Sequence, residues 1–436
     1  MAMNRESHKY EEVLDIENFL TIKKFRWTIK EFNVITGEMG SGKSLCMKLL
    51  YFFEQIFVSS IFFAPAFSKQ LFENGNFFER LSRNFEKNFF LNYNNYNLTG
   101  LKVTYSYTNT TTAFAISVKW NSGEKKLEWE SEYFLNNLQK WAGYFGDVAT
   151  PDTTKMVKGR IWDDVKHDFF EQLPIATMFI PASRAVLAMV KKPSFDDSFL
   201  SDFWDDKDFL MTNYPSLGLS SDKANILHVN NIKKIKMGDE YDIHLEHNDG
   251  RIVPLLYSSS GQQELVYLLL LMEKLPQIQF LYGDTLSFFI EEPSAHLFPK
   301  EQKELIESII NLFRKEKAFH KRFFITTHSP YILNVINNAM EKGRLQKAID
   351  TLEEGELKNN ITRMYEELSF PYLLQEEISA YFIEAPGDGE TGNVSSMISD
   401  DDPYLYAHKI EEITQSIYKD ANAIQNIFNE IDMGKK

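Results

Sequence analysis

The stretch Gly37-Glu38-Met39-Gly40-Ser41-Gly42-Lys43-Ser44 restricts this chain more than any other segment. It meets the pattern G-x-x-x-x-G-K-[ST] in full. Glycines at these positions let backbone N–H groups close around phosphate oxygens. Phe32 to Thr36 is a compact apolar run that enters the loop as a strand. An apolar helix is expected to leave it, from about Lys43 to Val58. The positive end of that helix then faces the same site. In such a loop Lys43 would bridge the β- and γ-phosphates, and Ser44 would ligate Mg2+. The alternative is a chance glycine-rich turn, against which the flanking strand and helix argue.

Three further motifs follow in chain order. Ser258-Ser259-Ser260-Gly261-Gln262-Gln263-Glu264 stands directly before an apolar helix expected from about Gln262 to Leu275. Small hydroxyl residues and glycine there make either an anion-binding helix end or an ordinary serine N-cap. Phe288-Phe289-Ile290-Glu291-Glu292-Pro293 puts two carboxylates at the end of a buried strand. That placement is costly unless they serve a metal or a proton transfer. Glu291 would hold Mg2+, and Glu292 would orient the attacking water as its base. Phe324-Ile325-Thr326-Thr327-His328-Ser329-Pro330 delivers His328 at the C-terminal end of a strand, where ligands collect in α/β sheets. His328 could then donate a hydrogen bond to the γ-phosphate.

Composition sets the frame. With 436 residues the chain has room for two or three domains, or one large domain with insertions. Its 43% hydrophobic and 25% charged content rules out a wholly disordered or fibrous chain. The 36 phenylalanines point to a dense core or an aromatic partner surface. The net charge of −15 argues against coating nucleic acid over the whole surface, yet leaves room for one local basic groove. A single cysteine, Cys46, excludes an intrachain disulfide and a cysteine-based zinc site. The apolar run around Leu268 to Met272 is too short to span a bilayer, and Met1 to Lys9 has no apolar signal core. A cytoplasmic protein is expected.

Short strands are expected through residues 10 to 36, then four regions: 1–60 with the glycine loop, an insertion over 61–174, a second core segment over 175–340, and an extension over 341–436. In the insertion, Phe77, Phe78, Phe85, Phe89 and Phe90 recur at helical spacing. Strands are expected at Lys102 to Ser106 and Thr112 to Trp120, a helix at Glu130 to Trp141, and a loop at Pro151 to Lys158. The whole is read as an insertion with its own aromatic core. Asn248-Asp249-Gly250 marks a hairpin, and a closing helix is expected from Pro403 to Ile431.

The four motifs, in this order, resemble the ABC-class ATPases, and within them the SMC-like and OLD-like branch. Gly37 to Ser44 matches the Walker A loop, Ile290 to Pro293 the Walker B segment, and His328 the switch histidine. Ser258 to Gln262 resembles the ABC signature, with Ser259 and Gly261 at its most informative positions and Gln262 closing it. The runs Glu291 to Pro299 and Ile180 to Arg184 are similar to stretches of the OLD-like branch. The likeness covers roughly residues 10–60 and 175–340, not 61–170.

This resemblance implies an α/β fold of the ABC type. A P-loop core sheet with helices would be joined by an antiparallel β subdomain, a mixed α+β insertion and a helical C-terminal region. It implies ATP and Mg2+ as ligands, with Glu292, His328 and Lys43 catalytic and Ser44 and Glu291 on the metal. It also implies a homo-oligomer, at least a head-to-tail dimer, with Ser259 acting in trans on a neighbour's ATP. The chain departs from the pattern at Glu291, where Asp is usual, and in lacking coiled-coil heptads or a convincing Toprim carboxylate set (Asp388, Glu390, Asp400, Asp401 and Asp402 are the nearest). Such stand-alone ATPases resemble subunits of anti-phage systems of the PARIS, Septu or retron type. That implies a separate effector, a nuclease or toxin, and a phage-derived trigger. The alternatives are an SMC-like ATPase acting on DNA or RNA, with short lysine patches at Lys233, Lys234, Lys236 and at Lys191, Lys192, and a non-hydrolytic ATP-bound scaffold.

Overall fold

The computed structural model describes residues 10–56, 67–90, 97–108, 113–145, 151–169, 176–182, 217–237, 240–274, 285–314, 320–386, 392–398 and 405. The expected closing helix, Arg184, Lys191, Lys192 and the acidic residues at 388–390 and 400–402 lie outside them, as does most of the acidic stretch at 194–222.

The apolar runs of the sequence become a six-stranded sheet. Its members are β3 (Phe32–Gly37), β7 (Ala176–Ile180), β11 (Thr285–Glu291), β12 (His320–Thr327), β13 (Ile378–Ile383) and β14 (Val394–Ser396), in the order β14-β13-β3-β12-β11-β7. All neighbours pair parallel except β14, which runs antiparallel on the edge. Buried parallel strands need apolar side chains on both faces, which is why β3 and β11 are buried along their whole length. Alternation splits each strand between two cores. Ile35, Phe179, Phe289 and Phe324 enter one, while Phe32, Val34, Phe288, Phe323 and Ile325 enter the other. Register sets Phe288 opposite Phe323 and Phe289 opposite Phe324, and both pairs stack, with ring centroids 4.8 and 4.3 Å apart.

On the first face lie α1 (Lys43–Gln55) and a five-stranded antiparallel sheet. That sheet runs β2-β1-β4-β5-β6, joining β1 (Glu11–Phe19) and β2 (Ile22–Thr28) to β4 (Lys102–Thr108), β5 (Ala113–Asn121) and β6 (Lys126–Glu130). The insertion therefore does not have a core of its own. Its strands extend the N-terminal hairpin, and its helices α2 (Asn76–Phe89), α3 (Glu132–Gly143) and α4 (Pro151–Phe169) share the first core with α1. Phe52 of α1 packs edge-on against Phe85 of α2. The loop expected at Pro151 to Lys158 is instead the first half of α4. Proline suits the first turn of a helix, and Val157, Ile161 and Val165 recur at four-residue spacing as its buried stripe.

The second face carries α6 (Ser260–Lys274), α7 (Pro299–Arg314) and α8 (Pro330–Asp350). The short helix α5 (Ser221–Ile226) and the sheet β10-β9-β8 pack there too, formed by β8 (Val229–Met237), β9 (Glu240–His247) and β10 (Ile252–Pro254). The hairpin expected across Asn248 to Gly250 joins β9 to β10. Residues 341–436 supply more than helix. Besides α9 (Glu356–Glu367) they contribute β13 and β14, and β13 lies directly beside β3. The architecture is the expected α/β class, a mostly parallel sheet flanked by helices on both faces with antiparallel sheets packed beside it. Among the described residues, no helix is long and apolar enough to cross a membrane.

Candidate functional site

Strand order determines what meets at the sheet's C-terminal edge. β3, β12 and β11 are neighbours, so the glycine loop, His328 and the Glu291-Glu292 pair leave adjacent strand ends. Register confirms the alignment, pairing Thr36 with Thr327 and Thr326 with Glu291.

The loop is held from two sides. Gly37 has φ +150°, and a Cβ there would lie 2.1 Å from the Ile383 carbonyl oxygen. Gly42 has φ +102°, and its Cβ would lie 2.6 Å from Thr21 Oγ1. Gly37 thus passes against the backbone of β13, where a side chain would clash, while Gly42 passes against the Thr21 and Ile22 side chains at a positive φ that strains any residue but glycine. Glu38 is an anchor as well as a loop residue. Its backbone N–H donates to Ile383 (3.2 Å), and its carboxylate accepts from the Ala385 N–H at 2.8 Å. Met39 at the tip is 96% exposed. No side chain caps α1, whose N-cap is Gly42 and whose first turn carries no acid. Its first N–H groups and its positive end are therefore available to an anion.

Lys43 closes the loop by donating to the carbonyls of Gly37 (3.0 Å) and Glu38 (2.8 Å). Burial lowers the pKa of its ammonium, and the negative charges of Glu292 and Glu38 oppose that. The hydroxyls of Thr36 and Ser41 are buried and have no hydrogen-bond partner, while Ser44 is exposed on the first turn of α1.

Glu291 is buried, and one of its oxygens accepts from the Ala182 N–H at 3.1 Å. Glu292 sits at φ +43°, a left-handed conformation that costs about 1 kcal/mol for a non-glycine residue. Its backbone N–H is fixed by β12, donating to the Thr326 carbonyl (3.0 Å) and Oγ1 (3.2 Å). Its carboxylate lies 2.8 Å from Nδ1 of His328.

Ser259 and Gln262 form a capping box at the start of α6. Ser259 N–H donates to Gln262 Oε1 (3.2 Å), and Gln262 N–H donates to Ser259 Oγ (3.4 Å). The modest role of a serine N-cap is thus filled. Gly261 leaves room for the segment after Glu292, since a Cβ would lie 3.1 Å from the His296 carbonyl oxygen. Buried Glu264 reaches His296 at 3.5 Å. None of the hydrogen bonds made by Ser259, Gly261 or Gln262 reaches the 37–44 loop. The lysine patch on β8 is partly engaged, because Lys233 pairs with Glu246 at 3.0 Å and Lys234 lies over the Tyr241 ring.

Sequence reasoning gave no role to Ile383, and it ran through Thr326, Ala182, Glu264 and His296 within its motifs without assigning them one. Only Glu264 carried a signal, as an acid inside an apolar helix.

A family model for the AAA ATPase domain matches residues 193–333. The match takes in Ser259, Glu291, Glu292 and His328 but not the 37–44 loop. A search of curated proteins finds no match. Among solved structures, the SMC head domain from Thermotoga maritima is similar at 10% identity and a TM-score of 0.39, over 89% of this chain and 99% of its own. The Smc head domain from Pyrococcus furiosus, with an extended coiled coil and bound to the C-terminal domain of ScpA, is similar at 12% identity and a TM-score of 0.38, over 94% of this chain and 99% of its own.

Proposed function

We propose that this chain is an ATP-binding and ATP-hydrolysing switch of the ABC type that works as a head-to-tail oligomer and controls a partner effector, a nuclease or toxin, in anti-phage defence. The observation that carries the ATPase part is the convergence of Lys43, Glu292 and His328 at the ends of adjacent parallel strands.

The residues fit a nucleotide with its cation. The uncapped α1 terminus and the glycine loop suit phosphate oxygens. The unpartnered Ser41 hydroxyl lies in the same loop. Ser44 and Glu291 offer the hard oxygen donors that Mg2+ prefers. Among the described residues no group of three or more His, Cys, Asp or Glu could hold a metal, so the nucleotide's own phosphates would complete the set. Bound Mg2+ would neutralise charge on the β- and γ-phosphates.

Lys43 exchanges its hold on the Gly37 and Glu38 carbonyls for the phosphates. Glu292, fixed by Thr326 and turned by His328, accepts the proton of the attacking water. Ser259 completes a neighbouring chain's site in trans. The apolar surface beside it supports that reading, with Tyr257 76% exposed and Phe298 74% exposed next to the capping box. The effector and its phage trigger rest on the resemblance to stand-alone defence ATPases.

The test is ATP turnover of the wild type and Glu292→Gln, with native mass measured with and without ATP beside the product of the neighbouring gene. Loss of turnover, and a nucleotide-dependent oligomer carrying that second protein, are expected. Equal turnover in both proteins overturns the hydrolytic reading. A single chain whose turnover is stimulated by DNA or RNA overturns the effector reading.

A further inference from the structure

The insertion holds a feature that neither the phosphate loop nor the expected oligomer uses. A 3-10 turn at Lys69–Phe72 and the polar face of α2 enclose an open cleft of about 400 Å3, lined by Ser68, Gln70, Asn76, Arg80, Arg83 and Asn84. Arg80 and Arg83 are three residues apart and share one helix face. The Nε of Arg80 is buried with no hydrogen-bond partner. Among the other described arginines, Arg26, Arg251, Arg314, Arg322 and Arg344 each sit on a carboxylate, whereas Arg160, which lies over the Tyr144 ring, and Arg363 do not. Among the described residues Arg80 and Arg83 have no such partner, although Glu79 and Glu86 lie on the same helix. Burial, and then the charge of Arg83, disfavour the Arg80 cation. In a chain of net charge −15, two like charges are held together where a carboxylate would relieve them.

We propose that this cleft is a second anion site, which binds the phosphate or pyrophosphate group of a small molecule. Two guanidinium forks match phosphate oxygens bidentately, and a dianion offsets their mutual repulsion. The hydroxyl of Ser68 and the amides of Gln70 and Asn84 add neutral donors. The size suits one small ligand. Among the described residues no aromatic side chain lines the cleft, so the phosphate rather than a stacked base is the recognised group. The opposite face of α2 packs through Phe85 and Phe89 onto Phe52 of α1, which places the cleft and the nucleotide loop on one shared core.

The test is titration calorimetry of the full chain with sodium pyrophosphate, in a Lys43→Ala background that weakens the phosphate loop. One saturable site is expected. Arg83→Gln should weaken it about tenfold, and Arg80→Gln with Arg83→Gln should weaken it further. Arg83 is exposed, so its single substitution leaves the core intact and keeps the test valid if the double variant unfolds. Absence of a saturable site in the Lys43→Ala chain, or an affinity indifferent to Arg83→Gln, overturns the proposal. So does tighter binding of a short single-stranded DNA that Arg83→Gln abolishes, which would make the cleft part of a nucleic-acid surface.

Discussion

Nδ1 of His328 lies 2.8 Å from a carboxylate oxygen of Glu292, and the two residues leave the ends of neighbouring parallel strands. The imidazole therefore stands against the carboxylate before any nucleotide arrives, close enough to steer it when it carries a proton. On the proposed hydrolytic reading, Glu292→Gln keeps the shape and removes the base. Turnover should fall about 10²- to 10⁴-fold with nucleotide affinity unchanged. His328→Ala leaves the base but frees its orientation, so a smaller loss is expected. Single-turnover hydrolysis beside equilibrium nucleotide binding separates the two, and a His328→Ala loss as large as that of Glu292→Gln would make the histidine a chemical partner rather than an orienting one.

Lys43 holds the loop closed through the Gly37 and Glu38 carbonyls. If the loop binds phosphate as proposed, replacing Lys43 by alanine should remove a charge-assisted contact and weaken nucleotide binding by roughly 10- to 150-fold. The measurement is ATP affinity at fixed magnesium. Comparable affinity in the variant and the wild type would refute the assignment of residues 37–44 as a phosphate loop.

Two glycines of the same loop should respond differently to alanine. At Gly37 the new Cβ would meet the Ile383 carbonyl oxygen at 2.1 Å, so either β13 or the loop must move. Gly40 also has positive φ, at +74°, but open space around it. Gly40→Ala should cost about 1 kcal/mol of backbone strain alone. Gly37→Ala should cost about 1–3 kcal/mol more and weaken nucleotide binding. Equal thermal stabilities for the two variants would mean that β13 does not press on the loop.

Much of this site is visible in the one-dimensional pattern because its parts are local. A glycine loop between a strand and a helix, and carboxylates or a histidine at the ends of apolar runs, are short-range signals. The supports are not local. β13 lies beyond residue 377, yet it pairs with β3 and sets the limit at Gly37, and no periodicity near Gly37 announces it. The insertion reads as a separate aromatic unit because Phe77, Phe85 and Phe89 repeat within it. Phe77 does pack within it, on Phe134, but Phe85 and Phe89 take their partners, Phe19 and Phe52, from the N-terminal region. In α4 the residues Thr153, Thr154 and Gly159 have weak helix propensity, and the stripe of Val157, Ile161 and Val165 is buried by tertiary packing. Ser259 shows the opposite limit, because sequence allows both a cap and a trans contact and the fold already uses the first.

Ser259→Ala tests that double role. Loss of the cap should cost about 1 kcal/mol of stability in any state of assembly. A trans contact adds a loss of turnover that appears only at concentrations where the chain oligomerises. Ser259→Asp restores the cap but places a negative charge towards a neighbour's phosphate. Alanine and aspartate variants that differ in stability but share a low turnover support the contact in trans. An aspartate variant with wild-type turnover confines Ser259 to capping.

The far end of α1 carries a buried charge cluster that should make stability depend on pH. Arg322 of β12 lies 2.9 Å from Glu12 of β1 and 3.3 Å from Glu54 of α1, and Tyr105 of β4 donates to Glu12 at 2.8 Å. Burial opposes the Arg322 cation, but Glu12 and Glu54 outweigh it and its pKa rises. For Glu54, burial pushes the pKa up to about 8, with Arg322 pulling it down and Glu12 pushing it up. A folded pKa above the unfolded one gives stability that is complete below about pH 4.5 and is lost as pH climbs through about 8. Glu54→Gln cannot ionise, so the wild type should lose ground to it across that window, by up to about 1.4 kcal/mol per pH unit. Arg322→Met, which leaves Glu12 buried without its cation, should cost about 3–5 kcal/mol. Thermal unfolding at pH 5.5 and pH 8 reads both effects. A difference between wild type and Glu54→Gln that stays constant with pH would mean that Glu54 keeps one protonation state throughout and that the cluster acts only as a fixed tie between α1, β1 and β12.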